Sequence, residues 1–420
     1  MTMTRTTSPI DGKRRLPDAW HWVRLKDMLT GLETGSRPPG GAIGVNEGIP
    51  SLSAEHMTRF GTFDFSSLRF VPPDFYERMT RGHIHRGDIL VVKDGATTGK
   101  VSFVDDDFPF AQAVVNEHVF LCRPDRSNVN PRYLFFWLWG PEGQYAIRAN
   151  FQGAAIGGIN QTFVDTVILP APPLAEQNRI AALLTEQLSA AHLARTASEA
   201  RLKAANNLSA ACLRIFFCNA LSQEWPRASL GGVSSLIIDG PHVTPSYQPS
   251  GIPFLTVRNI VQRRIDLTKV SYISEADHCE FARRGKVERG DILYTKDGTL
   301  GVPCLVETDE EFSFFVSVAL IKLLRDRVDP RFMAYALESP ALLQQVEKLA
   351  AGAGLKHMVL KSIRSLEVPL PTLSEQQHVA TILDEQMAGV VQAHQGIEEE
   401  LEAINALPSA LLRRAFRGEI

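Results

Sequence analysis

An α+β fold built twice is what this sequence predicts: two similar globular parts, each a mixed or curled β-sheet with packed helices, separated by two long helices that can pair and, if they run antiparallel, form a coiled coil about a pseudo-twofold axis. Three observations predict it. The chain repeats itself almost end to end. Each repeat alternates short β-branched runs with Gly, Pro and Asp. Each then closes on a proline-led helix whose apolar positions step by four and three.

The repeat is read first, because a missed duplication misassigns the whole architecture. "GDILVVKDG" at 87–95 returns as "GDILYTKDG" at 290–298, and "GIPSL" at 48–52 as "GIPFL" at 251–255, both 203 residues on. "NPRYL" at 130–134 returns as "DPRFM" at 329–333, and "PPLAEQNRIAALLTEQ" at 172–187 as "PTLSEQQHVATILDEQ" at 371–386, both 199 residues on. Trp20 and Leu25 pair with Trp225 and Leu230 at 205. A drift of a few residues is what loop insertions cause. The boundaries that follow are 1–171 for the first globular part, 172–219 for the first helix, 220–370 for the second part and 371–420 for the second helix.

In the first part, "GDILVVKDGATTGK" ends close to a phosphate-binding signature. The second copy removes that reading, because it has "KDGTLGVP", with Pro303 in place of Lys100. A phosphate loop also needs four residues between its glycines and a hydroxyl after the lysine; here there are three, and Val101 follows. What the copies share is an apolar strand running into a tight Asp-Gly turn, a hairpin. Further strands are "KVSFVDD" and "HVFLCRP", with "IPFLTVRN", "DILYTKDG" and "SVALIKLL" in the second part. "PRYLFFWLWGPEGQYAIRAN" and "PRFMAYALESPALLQQVEKLA" carry helical spacing behind Pro131 and Pro330, which suit the first turn.

The long helices follow "ILPAPPL" and "EVPLPTL". Proline cannot sit inside a helix, so it fixes the start, and Ser374 with Gln377 is the expected capping box. Apolar positions run Leu383, Met387, Val390, Ile397, Leu401 and Ile404, with His394 among them. The matching first-helix positions are Leu184, Leu188, Ala191, Arg195, Ser198, Leu202 and Ala205. A 3.5-residue repeat makes a narrow seam suited to a partner helix, in which polar Arg195 and His394 can set register. Pro408 is expected to kink or restart the second helix.

Composition excludes several classes. With 44% apolar and 22% charged residues the chain buries real cores. "RYLFFWLWGPEGQY" stops far short of the roughly 20 residues of a membrane span. The stretch "MTMTRTTSPIDGKRR" has no apolar core of a secretory signal. Cys122, Cys212, Cys218, Cys279 and Cys304 hold no C-x-x-C pair, which fits a reducing cytoplasm rather than disulfides or zinc. Net charge is −3, but Ser374–Ile404 holds seven acids and no Lys or Arg, so the remainder stands at +4 and leaves room for a local basic groove.

Catalytic signatures are missing. "VPPDFY" at 71–76 departs from an amino-methyltransferase loop in having Val71 at its head and Asp74 inserted, and Pro72-Pro73 is read as a turn. "GAGL" at 352–355 aligns with "GAAI" at 153–156 and is a loop rather than a cofactor cradle. His83 and His85 alternate on a strand, where the second copy has Lys286 and Glu288, so a metal is not expected.

Two globular parts on paired rods suit a pseudo-symmetric duplex read as two unlike half-sites. The chain resembles the specificity subunit of type I restriction–modification systems, over essentially its whole length. The duplicated "LPAPPLAEQNRIAALL" and "VPLPTLSEQQHVATIL", the twice-occurring "GDIL…DG" and the ending "LLRRAFRGEI" carry the resemblance. It implies that each globular part is a target-recognition domain contacting one half of a split, double-stranded DNA sequence. It implies helices that measure the spacer and hold two methyltransferase subunits, and restriction subunits that complete an endonuclease. It also implies no catalysis and no cofactor in this chain, with adenosylmethionine, ATP and magnesium in the partners.

DNA contacts then fall to loop residues of donor and acceptor type. Matching positions across the copies singles out Lys93, Thr97, Thr98, Lys100, Gln152, Asn160 and Gln161 in the first part. In the second they are His242, Arg258, Asn259, Lys296, Thr299, Lys356 and His357. Lys93 and Lys296 are expected on phosphates, because they coincide in both copies. Two other readings stand beside this one: a self-contained methyltransferase or nuclease, which predicts adenosylmethionine binding by the isolated chain, and a duplicated protein-interaction scaffold with no affinity for duplex DNA.

Overall fold

The computed structural model describes residues 16–39, 45, 47–153, 157–219, 224–261, 263–350 and 357–420. It divides into two compact units, Met1–Ser198 with Glu400–Ile420, and Glu199–Glu399, so that each unit takes one globular part and a length of both long helices.

Along the first unit run β1 (His21–Arg24), β2 (Leu29–Thr34), β3 (Ile49–Leu52), β4 (Phe70–Val71), α1 (Pro73–Arg78), β5 (Ile89–Val92), β6 (Val101–Phe103), β7 (Val114–Val115), β8 (Val119–Pro124), α2 (Pro131–Trp139), α3 (Pro141–Arg148), α4 (Phe163–Thr166) and β9 (Ile168–Ala171), then the long α5 (Leu174–Phe217). β2-β8-β5-β6 form an antiparallel sheet. β4-β3-β7 form a mixed one, since β3 pairs antiparallel with β4 and parallel with β7. β1 and β9 make a ribbon. The all-apolar run of β5 follows from burial on both faces: Ile89 and Val91 face the helical core with Tyr133, Phe136 and Leu184, whereas Leu90 and Val92 face the smaller core with Leu52 and Phe108.

The second unit repeats this plan with β10 (Arg227–Ser229), β11 (Ser234–Asp239), β12 (Ile252–Leu255), β13 (Ile260–Val261), β14 (Arg264–Ile265), β15 (Ser271–Ile273), α6 (Glu275–Ala282), β16 (Ile292–Thr295), β17 (Pro303–Leu305), β18 (Ser313–Phe314), β19 (Val318–Leu323), α7 (Pro330–Glu338), α8 (Pro340–Ala350), α9 (Leu360–Arg364), β20 (Glu367–Pro369) and α10 (Leu373–Ala415). Its sheets β11-β19-β16-β17 and β15-β12-β18, with the ribbon β10-β20, match the first unit strand for strand, and the short hairpin β13-β14 is added. Here Ile292 and Tyr294 face the helices and Leu293 the smaller core.

The paired short helices break at Gly140-Pro141 and Ser339-Pro340, because proline tolerates only the first turn. Asn130 and Asp329 cap their starts, each accepting two backbone N–H groups. A buried glutamine then ties each long helix to that cap. Gln177 accepts from the N–H of Asn130 and donates to the carbonyls of Pro172 and Asn128. Gln376 does the same with Asp329, Pro371 and Arg327.

The long helices pair antiparallel within each unit. In the first, Arg179 donates to the backbone oxygen of Ile420 at 2.6 Å and Ser198 to Glu400 at 2.9 Å, so numbering falls on one helix as it rises on the other. In the second, His394 meets Asn206 at 2.9 Å, while Leu213 and Phe217 share a core with Leu383 and Met387. Along the seam Leu184, Ala191, Ser198, Ala205, Leu383, Met387, Val390 and Ile397 are buried, and Leu188, Arg195, Leu202, His394, Leu401 and Ile404 are half-buried.

Three local expectations need correction. Pro408 does not restart the helix, for α10 runs through it to Ala415 and forgoes one backbone hydrogen bond. The capping box is Thr372 with Glu375 rather than Ser374 with Gln377: the Glu375 carboxylate accepts from the Thr372 N–H at 2.9 Å and from its hydroxyl at 2.6 Å. Pro72-Pro73 is a helix start rather than a turn, with Pro72 the cap of α1 and Pro73 its first residue.

Candidate nucleic-acid interface

The repeated Gly-Asp-Ile-Leu…Lys-Asp-Gly stretch forms the same hairpin twice, β5 into β6 and β16 into β17. Its glycines take left-handed backbone, φ +88° at Gly95 and +74° at Gly298, as an Asp-Gly turn requires. The first acid of the motif is structural. Asp88, 2% exposed, accepts from the His85 N–H at 2.8 Å and from Arg123, and burial raises its pKa above the ordinary carboxylate value against the pull of Arg123. Asp291, 1% exposed, accepts from the Glu288 N–H and from Lys322 at 2.7 Å.

In the first unit the tip of the hairpin lies against the stretch preceding α4: Ile159 donates to the Lys93 carbonyl, and Gly95 to that of Gly157. This gathers Lys93, Thr97, Thr98, Gln152, Asn160 and Gln161 at one edge. Thr97, Gln152, Asn160 and Gln161 are exposed. The Thr98 hydroxyl closes the turn on the Gly95 carbonyl, and Asn160 caps Thr162. Lys93 is half-buried, with its ammonium 3.4 Å from the Glu117 carbonyl and 3.9 Å from Asp94. Lys100 is turned inward, donating to the Met57 carbonyl at 2.9 Å.

In the second unit the matched lysine differs. Lys296 is 2% exposed, 3.6 Å from Asp239 and 3.5 Å from Asp297, which withdraws it from any phosphate and corrects the expectation drawn from the coincidence of the copies. The cause is two strands away in the sheet, where Asp239 of β11 stands at the position of Thr34 in β2. Asn259 is likewise structural: it is buried, accepts from Thr256 and donates to the carbonyls of Asp266 and Lys269. His242, Arg258, Thr299 and His357 are exposed, His242 lying 3.3 Å from Asp239 and His357 bonding Asp297. Lys356 lies outside the described residues, as do Ala154–Ile156 and 352–355 of the two glycine-containing stretches.

Matching the copies position by position missed His118, Glu117 and Arg37. His118 Nδ1 lies 2.6 Å from Asp94, and Glu117 pairs with Arg37 at 2.7 Å. The position of His118 holds Ser317 in the second copy, so no repeated histidine marks it. Among the described residues no group of three or more His, Cys, Asp or Glu stands where it could hold a metal ion. His83 is stacked on Tyr76 at 4.6 Å, and His85 meets Arg123 at 2.9 Å. The buried thiol of Cys304 is pushed up to about 12 by desolvation, which keeps it protonated. Among the described residues no helix is long and apolar enough to cross a membrane.

Comparison with known proteins places this arrangement. The chain is 24% identical over 400 residues to the type I restriction enzyme EcoBI specificity subunit of Escherichia coli, covering 89% of this chain and 80% of that one. It is 20% identical over 385 residues to the MjaVIII specificity subunit of Methanocaldococcus jannaschii, covering 87% and 85%. Its fold is similar to that of a chain solved for the assembly and conformational transition of the type I R-M system, with TM-score 0.76, 20% identity and coverage of 97% and 100%. The HsdS subunit from Thermoanaerobacter tengcongensis is also similar, with TM-score 0.60, 19% identity and coverage of 97% and 99%. Type I restriction modification DNA specificity domains match at residues 17–200 and 245–403, one in each copy of the repeat, and the chain belongs to that family.

Proposed function

We propose that this chain is the DNA-reading specificity subunit of a type I restriction–modification complex, non-catalytic itself, with one unit on each half of an asymmetric, bipartite site. The observation that carries this is a duplicated topology with unlike edges. The shared sheets keep one strand order, yet the exposed donors and acceptors are Thr97, Gln152 and Gln161 in the first unit and His242, Arg258 and Thr299 in the second. Identical scaffolds with different donors and acceptors suit two different half-sites.

The paired helices are the docking element for two methyltransferase subunits, and restriction subunits join that assembly in the cytoplasm. Adenosylmethionine, ATP and magnesium act in those partners. Methylome sequencing of the host with and without the gene tests the proposal. Loss of one split, asymmetric methylation motif on deletion is expected, and an unchanged methylome overturns it. In solution, binding should weaken with salt and fail when either half-site is scrambled. Adenosylmethionine binding by the isolated chain, read by calorimetry, would favour a self-contained methyltransferase instead.

A further inference from the structure

The acid of each Lys-Asp-Gly turn holds an imidazole, and the two imidazoles come from different places in the repeat. His118 Nδ1 bonds Asp94 in the first unit, and His357 Nδ1 bonds Asp297 in the second. In both pairs the histidine side chain is 45% and the aspartate 30% exposed.

The backbone shows that these are not the same position. Lys93 N–H donates to the His118 carbonyl as Lys296 N–H donates to that of Ser317, so 118 matches 317. Ile159 N–H donates to the Lys93 carbonyl as Met358 N–H donates to that of Lys296, so 158 matches 357. Gly158 has no room for a side chain, since a Cβ there would stand 2.7 Å from the Lys93 oxygen and 2.9 Å from the Asp94 Cβ. Ser317 is 8% exposed, and its hydroxyl accepts from the Val257 N–H at 3.3 Å. Each unit thus arrives at the same aspartate–histidine pair by the route its own packing leaves open.

We infer that His118 and His357 contact DNA, one in each unit, and that Asp94 and Asp297 are their positioning residues; this rests on the DNA-reading function proposed above. A bare carboxylate at a DNA-facing edge repels phosphate, whereas a carboxylate that holds an imidazolium orients a donor. With Nδ1–H given to the aspartate, a neutral ring only accepts at Nε2, while a protonated ring donates there to a phosphate oxygen or a base acceptor. The field of the duplex favours the second state, so binding takes up a proton. The charged groups around His118 are Asp94, Glu117 at 3.5 Å, Lys93 beside Asp94, and Arg37 on Glu117. Around His357 they are Asp297, Lys296 beside it, and Asp239 behind that lysine with His242 and Arg284.

The test uses the full chain purified from its host with its bound partners, and a duplex that this complex selects from a random-sequence pool. Affinity is measured from about pH 8 to about pH 6, the imidazole range. It should rise as pH falls, with the slope reduced in His118→Gln and in His357→Gln and lost in the double variant. Each single variant should cost about ten-fold on the selected duplex, and the two should lose discrimination at different half-sites. Asp94→Asn should weaken binding, although removing a negative charge on electrostatic grounds alone would strengthen it. A pH-independent wild type, histidine variants that bind normally, or a tighter-binding Asp94→Asn overturns the inference. If His118→Gln melts early in circular dichroism, His357→Gln carries the test. A pool that yields no selected site overturns the DNA-reading function itself.

Discussion

Gln177 and Gln376 show how a residue can be conspicuous in a sequence while its task is not. The "EQ" of the repeated segment marks the duplication, but nothing in the spacing says that the amide reaches back some 47 positions to the cap of a different helix. Each is almost fully buried with both ends of the amide bonded, so Gln376→Ala should cost about 2 kcal/mol, read as a lowered urea midpoint, because three partners lose their bond at once. The acid of the Gly-Asp-Ile-Leu strand is a second case. Burial raises the folded pKa of Asp88, so the folded state holds that proton more tightly than the unfolded chain does. Its contribution to stability is present below the unfolded carboxylate value and is lost as pH rises through the folded one. Relative to Asp88→Asn, the wild type should therefore be most stable in acid and lose ground towards neutrality, as paired denaturation curves at several pH values would show. Lys296 teaches the opposite lesson. Its identity agreed across the copies, but its environment was set by Asp239 two strands away in the sheet, and agreement in type did not mean agreement in exposure.

At the scale of elements, strands were legible from short β-branched runs bounded by Gly, Pro and Asp, and the long helices from their period. Alternation fixes β5 and β16 between two cores, and the four-and-three step of the long helices matches their observed burial. Boundaries were less legible, since local signals compete. Both Thr372 and Ser374 are followed three residues on by Glu or Gln, and pattern alone does not choose between them. Packing chooses, because Gln376 is anchored to the Pro371 carbonyl and so places the first turn at Leu373. Thr372→Ala should accordingly cost about 1 kcal/mol, and Ser374→Ala much less, in thermal melts of otherwise identical chains. The proline inside α10 was misjudged because heptad packing on both sides of it outweighs one missing hydrogen bond. Pro408→Ala should raise stability, by up to about 3 kcal/mol, the cost of proline in a helix interior. The proposed contact edge was the least legible part. Most of its members are exposed loop residues, which obey no period, and His118 has no histidine at the matching position of the other copy.

On the scale of the whole chain, duplication was readable, whereas the way the copies share their helices was not. The first unit is discontinuous: Leu412, Ala415 and Phe416 lie in the same core as Tyr133, Leu134 and Leu184, and the Phe416 ring sits 5.2 Å from that of Tyr133. The second unit is continuous from Glu199 to Glu399. A fragment of residues 1–198 should therefore aggregate or remain molten, by dye binding and near-ultraviolet dichroism, and adding a peptide of residues 400–420 should restore a cooperative melt. The fragment 199–399 should fold by itself. A cooperative melt of 1–198 without the peptide would contradict this division of the core.

That discontinuity imposes an order on synthesis. On the ribosome, the portion that starts the chain must wait, with its aromatic surface uncovered, until the entire middle has emerged and the segment around Phe416 follows it out. A message broken anywhere between those points yields a product with an open hydrophobic face, which proteases and chaperones recognise. Incomplete copies would thereby be open to disposal before the fold is finished.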